Sequence, residues 1–288
     1  MSAADDFEHK VRADDAAIEL AGAAIDVART AYPHLDEAFY LAQLDKLADS
    51  VIASAPQGTE QHISALKAVL FEQFGLRGNT GDYYDVRNSY LNEVLERRQG
   101  IPISLSLIYL EVGWRSGFAM APVSFPGHFL VRLDEGNGLS EKEDTPLLVD
   151  PFIVDPFNGG AIVALEALTA QLARATGDEQ TAKHLLPKAL QPCSRREMLA
   201  RILQNLEAIY TQKNAWESAL TIADLAVRLD PRNASAVRKR GALYAHVGHG
   251  QAAIADLERY LAMDKAAEDA SRIKALIARL RGATGRLS

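Results

Sequence analysis

Apolar residues recur at helical spacing through the first quarter of the chain. The segments AAIELAGAAIDVARTAYP and DEAFYLAQLDKLADSVIAS carry them at every third or fourth position. This spacing predicts amphipathic helices between about residues 14 and 75. Pro33 and the Pro56-Gln57-Gly58 sequence separate these helices, and Gly75 ends the last of them.

A second helical region contains the most apolar helix of the chain. Leu91–Gln99 predicts a short helix that stops at Gly100, because glycine is common just after a helix C-terminus. Pro102 suits the first turn of the next helix, where a backbone N–H is not needed. That helix, about Ile103–Ser116, has apolar residues on nearly every side, so we expect it to be central and buried.

After this helix the pattern changes from helical to extended. Segments rich in Val, Leu and Phe predict three strands, at Ala121–Ser124, His128–Leu133 and Pro146–Asp150. The polar segment DEGNGLSEKEDT predicts a hairpin loop between the last two strands. Asn158-Gly159-Gly160 then predicts a turn, Val163–Ala173 a helix, and residues 174–194 a linker. Helices and antiparallel strands together predict an α+β fold.

From about residue 195 the chain is predicted to be helical and repetitive. Trp216 and Gly250 begin matching segments 34 residues apart, and the helices before them keep the same offset. The matching pairs include Ala219 with Ala253, Leu220 with Ile254, Val227 with Leu261, and Tyr210 with Tyr244. This period is typical of tetratricopeptide repeats, and we count two repeats with a capping helix at Ser271–Arg281. So short a solenoid is expected to need packing support from the rest of the chain.

Composition excludes several classes of function. A chain of 288 residues has room for two domains. Its net charge of −7 argues against a nucleic-acid partner. The sequence contains no run of about 18 apolar residues, so no membrane-spanning helix is predicted. The single Cys193 excludes an intrachain disulfide, and the polar start of the chain is unlike a signal peptide, so we expect a cytoplasmic protein. No metal or cofactor is expected, because His246 and His249 lack further ligands and no phosphate-binding motif is present.

Three segments together resemble a known family. NSYLNEVLERRQGIPISLSLIYLEVGWRSGF, FPGHFLVRL and DPFNGG are similar to the motifs of the SirB1 family of bacterial proteins, and the repeats match the C-terminal half of that family. The resemblance implies a transglutaminase-like, papain-like domain within residues 1–180, preceded by helices, and an all-α tetratricopeptide-repeat module over 195–288. Transglutaminase relatives use a Cys–His–Asp triad, in which the His activates the thiol and the Asp orients the His.

The resemblance places a proline where the relatives have their nucleophile. Counting back from Gly117, and matching Gly100-x-Pro102 to the family's Gly-x-Cys pattern, assigns this position to Pro102. Ser104 is the nearest hydroxyl and is the candidate substitute nucleophile. Asn88, Tyr90 and Asn92 precede the helix and are expected to line the cleft, although capping and packing explain them equally well.

The resemblance also implies the remaining two residues of the triad. His128 follows Pro126-Gly127 at the start of a predicted strand, as the family's triad His does. Two aspartates qualify because VDPF occurs twice. A hairpin that pairs Leu133 with Pro146 places Asp150 beside His128, whereas Asp155 fits the DPFNGG motif better. We prefer Asp150 and keep Asp155 as its substitute.

Three functional hypotheses remain open at this point. The leading hypothesis is an interaction or regulatory protein, in which a cleft with a degenerate nucleophile position and the repeats bind a protein or peptide partner. The second is a serine-dependent hydrolase or amidase that acts on a protein or peptide through Ser104, His128 and Asp150. The third is a scaffold whose cleft has no function.

Overall fold

The N-terminal third of the chain is helical, as its pattern predicts. A computed structural model describes residues 2–133 and 151–284 of the protein. The first helices are α1 (Ala3–Val11), α2 (Leu20–Arg29), α3 (Glu37–Ala53) and α4 (Gly58–Lys67), which continues as a π-helical segment at Ala68–Gln73. Helix α1 begins with a capping box formed by Ser2 and Asp5, and lies before the predicted helical region. No described helix is long and apolar enough to cross a bilayer.

The central helix is confirmed. Helix α6 (Pro102–Arg115) starts at its proline, and every residue from Pro102 to Gly113 is buried. Helix α5 (Leu91–Arg97) is shorter than expected, because Arg98 adopts the left-handed conformation with φ 56° and ends it. Gln99–Gly100 then forms strand β2, which pairs in parallel with strand β1 (Arg77–Gly78).

One four-stranded antiparallel sheet packs against α6. Its strands follow the order of the chain, β3 (Ala121–Val123), β4 (Leu130–Leu133), β5 (Phe152–Asp155) and β6 (Ala161–Ile162). Leu133 lies opposite Phe152, so the predicted pairing of Leu133 with Pro146 is wrong. The observed register buries Val154 in the main core beside α6 and Ile153 in a smaller core on the other face of the sheet. The predicted strand Pro146–Asp150 and the loop before it lie outside the described residues.

The predicted linker is helical. Helices α7 (Leu165–Thr176) and α8 (Glu179–Ala189) form a hairpin that covers the second face of the sheet. Asp178 caps α8 by accepting the N–H of Thr181 at 2.6 Å. Pro187 lies in the last turn of α8, where the missing N–H removes a single intrahelical bond.

The repeats are confirmed as two antiparallel helix pairs and a capping helix. These are α9 (Arg195–Gln212), α10 (Trp216–Leu229), α11 (Ala234–His246), α12 (Gly250–Met263) and α13 (Ala270–Thr284). Apolar residues of α9 and α10, such as Leu199, Leu203 and Leu225, belong to the same core as α2 and α6. The first repeat therefore packs directly against the mixed N-terminal part of the chain, as a short solenoid requires.

Polar contacts also attach the first repeat to the N-terminal helices. The Asp15 carboxylate accepts the backbone N–H groups of Arg195 and Arg196, both at 2.9 Å, and so caps α9 from outside the repeat. The Arg196 guanidinium donates to the carbonyl oxygens of Val11 at 2.7 Å and Ala13 at 3.2 Å. The order of the repeat thus depends on residues near the start of the chain.

Candidate active site: an imidazole–carboxylate pair beside the central helix

His128 lies in a tight turn immediately before the sheet. The turn Phe125–His128 closes with the His128 N–H donating to the Phe125 carbonyl at 2.9 Å, and Gly127 has φ +75°, which glycine adopts without strain. Strand β4 begins only at Leu130, so His128 precedes the strand that the sequence predicted it to start. From this turn the His128 ring reaches the last residue of β5.

The partner of His128 is Asp155, the last residue of β5. The ring Nε2 lies 2.7 Å from the Asp155 Oδ2, and the Asp155 side chain is 5% exposed. Asp150, which the predicted register favoured, lies outside the described residues. The observed register explains the contact, because Val131 pairs with Val154 and so brings the turn before β4 to the end of β5.

The Asp155 carboxylate is held by four donors. Besides the His128 ring, the backbone N–H groups of Phe157 and Asn158 donate to Oδ1 at 2.9 and 3.2 Å, and the Asn158 side chain donates to Oδ2. Burial favours the neutral acid, but the hydrogen bonds from His128 and Asn158 outweigh it and hold the pKa of Asp155 below its usual value. At neutral pH the site therefore contains an ionised carboxylate that orients the imidazole.

The second ring nitrogen of His128, Nδ1, has no hydrogen-bond partner among the described residues. Within residues 2–133 and 151–284, no group forms a hydrogen bond with Nδ1, and the His128 side chain remains 15% exposed. In a triad, this nitrogen would face the nucleophile. Among the described residues, the site thus contains an imidazole–carboxylate pair and no side chain bonded to the second ring nitrogen.

Ser104 is engaged elsewhere. Its buried hydroxyl donates to the Asn88 carbonyl at 2.6 Å, lies 3.1 Å from the Ile101 carbonyl, and accepts the Ile101 N–H at 3.1 Å. Gly100 leaves room for it, because a Cβ there would lie 2.6 Å from the Ser104 Oγ. The hydroxyl ties the start of α6 to the preceding turn, and the structure does not bring it into hydrogen bonding with His128.

Pro102 lies on the face of α6 that meets the His128 segment. Ser106, one turn further along the same face, donates to the Phe129 carbonyl at 3.3 Å. Pro102 is buried at the first position of the helix. A proline ring offers no hydroxyl, thiol or amine, so this end of the helix supplies the imidazole with no nucleophile from residue 102.

The three residues that the sequence predicted to line the cleft lie in different parts of the structure. Asn88 holds the loop that follows β1, because its amide donates to the carbonyls of Asp82 at 2.7 Å and Tyr83 at 3.2 Å. Tyr90 instead belongs to the contact with the first repeat, where its hydroxyl lies 2.7 Å from the Tyr210 hydroxyl. Burial and this hydrogen bond raise the pKa of Tyr90. Asn92 is buried in α5, and its Oδ1 has no partner among the described residues.

A row of aromatic rings connects the pair to the surface. Phe157 packs edge-on to His128 at a centroid distance of 6.1 Å, Tyr83 packs on Phe157 at 6.4 Å, and Tyr84 packs on Tyr83 at 5.4 Å. Tyr83 is 42% exposed and Tyr84 is 62% exposed. Gly78 accommodates the Phe157 ring, since a Cβ at Gly78 would lie 2.7 Å from it. We call these three rings, Phe157, Tyr83 and Tyr84, the aromatic row.

Sequence reasoning missed Phe157 and Asn158 as site residues. The signal was present in the DPFNGG motif, because an Asp followed by Asn three residues later is a typical capped turn. Asp155 caps this turn and holds His128 at the same time. The motif thus orients the imidazole rather than only ending a strand.

A groove lies in the repeats, away from His128. Helices α9 and α11 border a groove of about 230 Å³ whose floor is α10. Four small residues leave this space open, and they are Ala200, Ala223, Ala226 and Ala236. Glu207 and Lys239 face each other across it as an ion pair at 3.0 Å. Among the described residues, no cluster of three or more His, Cys, Asp or Glu side chains is arranged to hold a metal ion.

Comparison with known proteins agrees with this architecture. Residues 38–204 match the transglutaminase-like superfamily, and residues 206–278 match the tetratricopeptide repeat. A UPF0162 protein of Xylella fastidiosa (strain Temecula1) is 38% identical over 86% of this chain and 85% of its own length. UPF0162 protein YchA of Escherichia coli (strain K12) is 24% identical over 83% of this chain and 82% of its own length. Human F-box only protein 21 is 29% identical over 65% of this chain and 28% of its own length. The chain belongs to the SirB1 (UPF0162) family, in which a transglutaminase-like domain is followed by tetratricopeptide repeats.

Proposed function

We propose that this protein is an interaction and regulatory module that binds segments of a protein partner in its repeat groove and in the cleft beside His128. In this proposal the cleft retains the orienting half of a triad for binding and does not carry out nucleophilic catalysis. The observation that supports it is the imidazole–carboxylate pair of His128 and Asp155, whose second ring nitrogen has no hydroxyl or thiol bonded to it among the described residues.

The two side chains that would have to replace the missing nucleophile support the same view. The Ser104 hydroxyl is buried and bonded to backbone groups of Asn88 and Ile101. Cys193 is the only thiol, and burial together with the neighbouring Glu197 raises its pKa to about 12. A thiol with so high a pKa is protonated at neutral pH and is a weak nucleophile.

The cleft has the features of a peptide-binding surface. The exposed Tyr83 and Tyr84 rings offer apolar area at small entropic cost, and the His128 ring offers a hydrogen-bonding nitrogen at the buried end of the aromatic row. The repeat groove adds a second surface of stacked helices, which is the usual site for partners of solenoid proteins. Binding at two surfaces would combine two modest affinities into a stronger one.

A chemical probe separates this proposal from the serine-hydrolase alternative. We expect a fluorophosphonate probe not to label the purified full chain, because Ser104 is neither exposed nor activated. A phosphonylated Ser104 peptide in the mass spectrum, lost in His128→Ala, would show that the cleft is catalytic. An active serine hydrolase with a Ser-His-Asp triad, labelled under the same conditions, is the positive control for the probe.

A peptide array tests the binding half of the proposal. We expect the full chain to bind a defined subset of peptides and Ala236→Arg to lose that subset, because the new side chain fills the groove between α9 and α11. Ala262→Arg adds the same charge at an exposed position of α12 outside the groove lining and is the matched control. Equal binding by both variants would refute the groove as a binding surface.

A further inference from the structure

The repeats form a second groove that differs in charge from the first. It lies between α11 and α13 and has a volume of about 590 Å³. Its lining is Arg238, Ala242, Asp269, Arg272, Ile273, Ala275, Leu276 and Arg279. Three arginines and one aspartate therefore surround an apolar floor, in a chain whose net charge is −7.

Helical periodicity places these residues on facing surfaces. Arg272, Leu276 and Arg279 are four and three residues apart, so they share one face of α13. Arg238 and Ala242 are four residues apart on α11 and form the opposite wall. Alanine at 242 and 275 keeps the space between the walls open.

The single acidic residue of the groove is already engaged. The Asp269 carboxylate accepts the Arg238 Nε–H at 2.6 Å and the Tyr260 hydroxyl at 2.8 Å. Arg272 and Arg279 are exposed, and neither forms an ion pair within the part of the chain that the structure describes. Two guanidinium groups thus line the groove, and no carboxylate of the described residues pairs with either of them.

We propose that this groove binds an acidic peptide segment of a protein partner, with carboxylates on Arg272 and Arg279 and an apolar side chain between them. The proposal deepens the proposed function by naming the chemistry of the bound segment, and it rests on that function. Arg272 and Arg279 are seven helical residues, or about 10 Å, apart, and side chains on one face of an extended peptide recur at every second residue, or about every 7 Å. The first and fifth residues of such a peptide lie on one face about 13 Å apart, within reach of two long arginine side chains. The segment therefore has the pattern acidic-x-apolar-x-acidic, in which the middle side chain faces Leu276 and Ile273 between the arginines.

Fluorescence anisotropy with the full chain tests this assignment. The probe is a labelled peptide containing Glu-Ala-Leu-Ala-Glu, compared with Gln-Ala-Leu-Ala-Gln and Lys-Ala-Leu-Ala-Lys. We expect the Glu peptide to bind and the other two to bind at least tenfold more weakly. Arg272→Ala/Arg279→Ala should weaken the Glu peptide about tenfold, which corresponds to about 1.4 kcal/mol for two exposed ion pairs.

The control variant removes the same number of positive charges at positions outside the groove. Lys265→Ala/Lys274→Ala removes two positive charges at exposed positions outside the lining, so it should bind the Glu peptide as the unmodified chain does. Equal weakening by both double variants would mean that net charge alone attracts the peptide, and would overturn the proposal. Equally tight binding of a single-stranded oligonucleotide would also overturn it, because the groove would then be a general polyanion site. If the Glu, Gln and Lys peptides bind equally in this experiment while Ala236→Arg still abolishes binding to the peptide array, the proposed acidic segment is rejected and the proposed function remains.

Discussion

Replacing Asp155 by Asn tests whether this carboxylate holds the His128 side of the site together. The substitution keeps the shape of the side chain and an oxygen for the turn, so Oδ1 still accepts the N–H groups of Phe157 and Asn158. It replaces Oδ2 by an amide that faces the Asn158 side-chain donor and the His128 ring, which can keep a hydrogen bond to the amide only as the tautomer that accepts at Nε2. Two charge-assisted hydrogen bonds are lost in a buried place.

The expected destabilisation follows from those two bonds. Hydrogen bonds to charged groups contribute at least about 1.5 kcal/mol each, so Asp155→Asn should lower the free energy of unfolding by about 3 kcal/mol at pH 7. The pKa of Asp155 is lowered from its usual 3.8 in the folded state. A lowered folded pKa means that the ionised carboxylate stabilises the fold above about pH 3.8, and that this contribution is lost as the pH falls through the folded pKa. The difference between the two proteins should therefore shrink from pH 7 to pH 3.

Urea denaturation at pH 7, 5 and 3 measures both quantities. His128→Ala and the double variant complete a cycle that isolates the coupling between His128 and Asp155 from the capping of the turn. We expect a coupling of about 1–2 kcal/mol at pH 7. A loss below about 1 kcal/mol for Asp155→Asn, or the same loss at pH 3 as at pH 7, would refute the reasoning, because the carboxylate would then not be an ionised hydrogen-bond acceptor in the folded state.

Two further predictions concern the contact between the repeats and the rest of the chain. Asp15→Ala should lower the urea unfolding free energy by about 1 kcal/mol, because it removes the acceptor of the Arg195 and Arg196 N–H groups, which the N-cap Ser194 does not bond. Asp14→Ala changes an exposed residue without a side-chain cap bond and should leave the free energy unchanged, and equal effects would show that α9 needs no acceptor from outside the repeat. Tyr90→Phe should lower the free energy of unfolding by about 1 kcal/mol, because it removes the hydroxyl contact with Tyr210. Tyr109→Phe should leave the free energy of unfolding unchanged or raise it, because the buried Tyr109 hydroxyl has no partner among the described residues. Thermal unfolding of both variants checks this, and a cost for Tyr109→Phe equal to that of Tyr90→Phe would contradict it.

Local pattern was sufficient for α6 and for the helices of the repeats. The start of α6 follows from Pro102, and its burial follows from apolar residues on every side. The 34-residue period predicts the antiparallel helix pairs, because each pair repeats the same contacts with its neighbour. Helix α8 escaped prediction, because Pro187 is typical of a linker when read alone and is tolerated in a last helical turn.

The site depended on contacts between distant parts of the chain. The repeated VDPF sequence left two aspartates open, and only the register of β4 with β5 brings Asp155 to His128. A strand register follows from which apolar residues each face of a sheet buries, and those faces are supplied by α6 on one side and by α7 and α8 on the other. The same holds for Ser104, whose hydroxyl bonds to the Asn88 carbonyl sixteen residues away.

The sequence by itself determined the class of the protein: a mixed N-terminal domain around one buried helix, two repeats after it, and an imidazole near an aspartate. Helix periodicity and turn chemistry act over a few residues, so they can be read directly from the chain. Tertiary structure decided which carboxylate contacts the imidazole, which hydroxyl is already hydrogen-bonded, and which arginines of α13 line a groove. These outcomes depend on the packing of elements far apart in the sequence, and no local pattern encodes that packing.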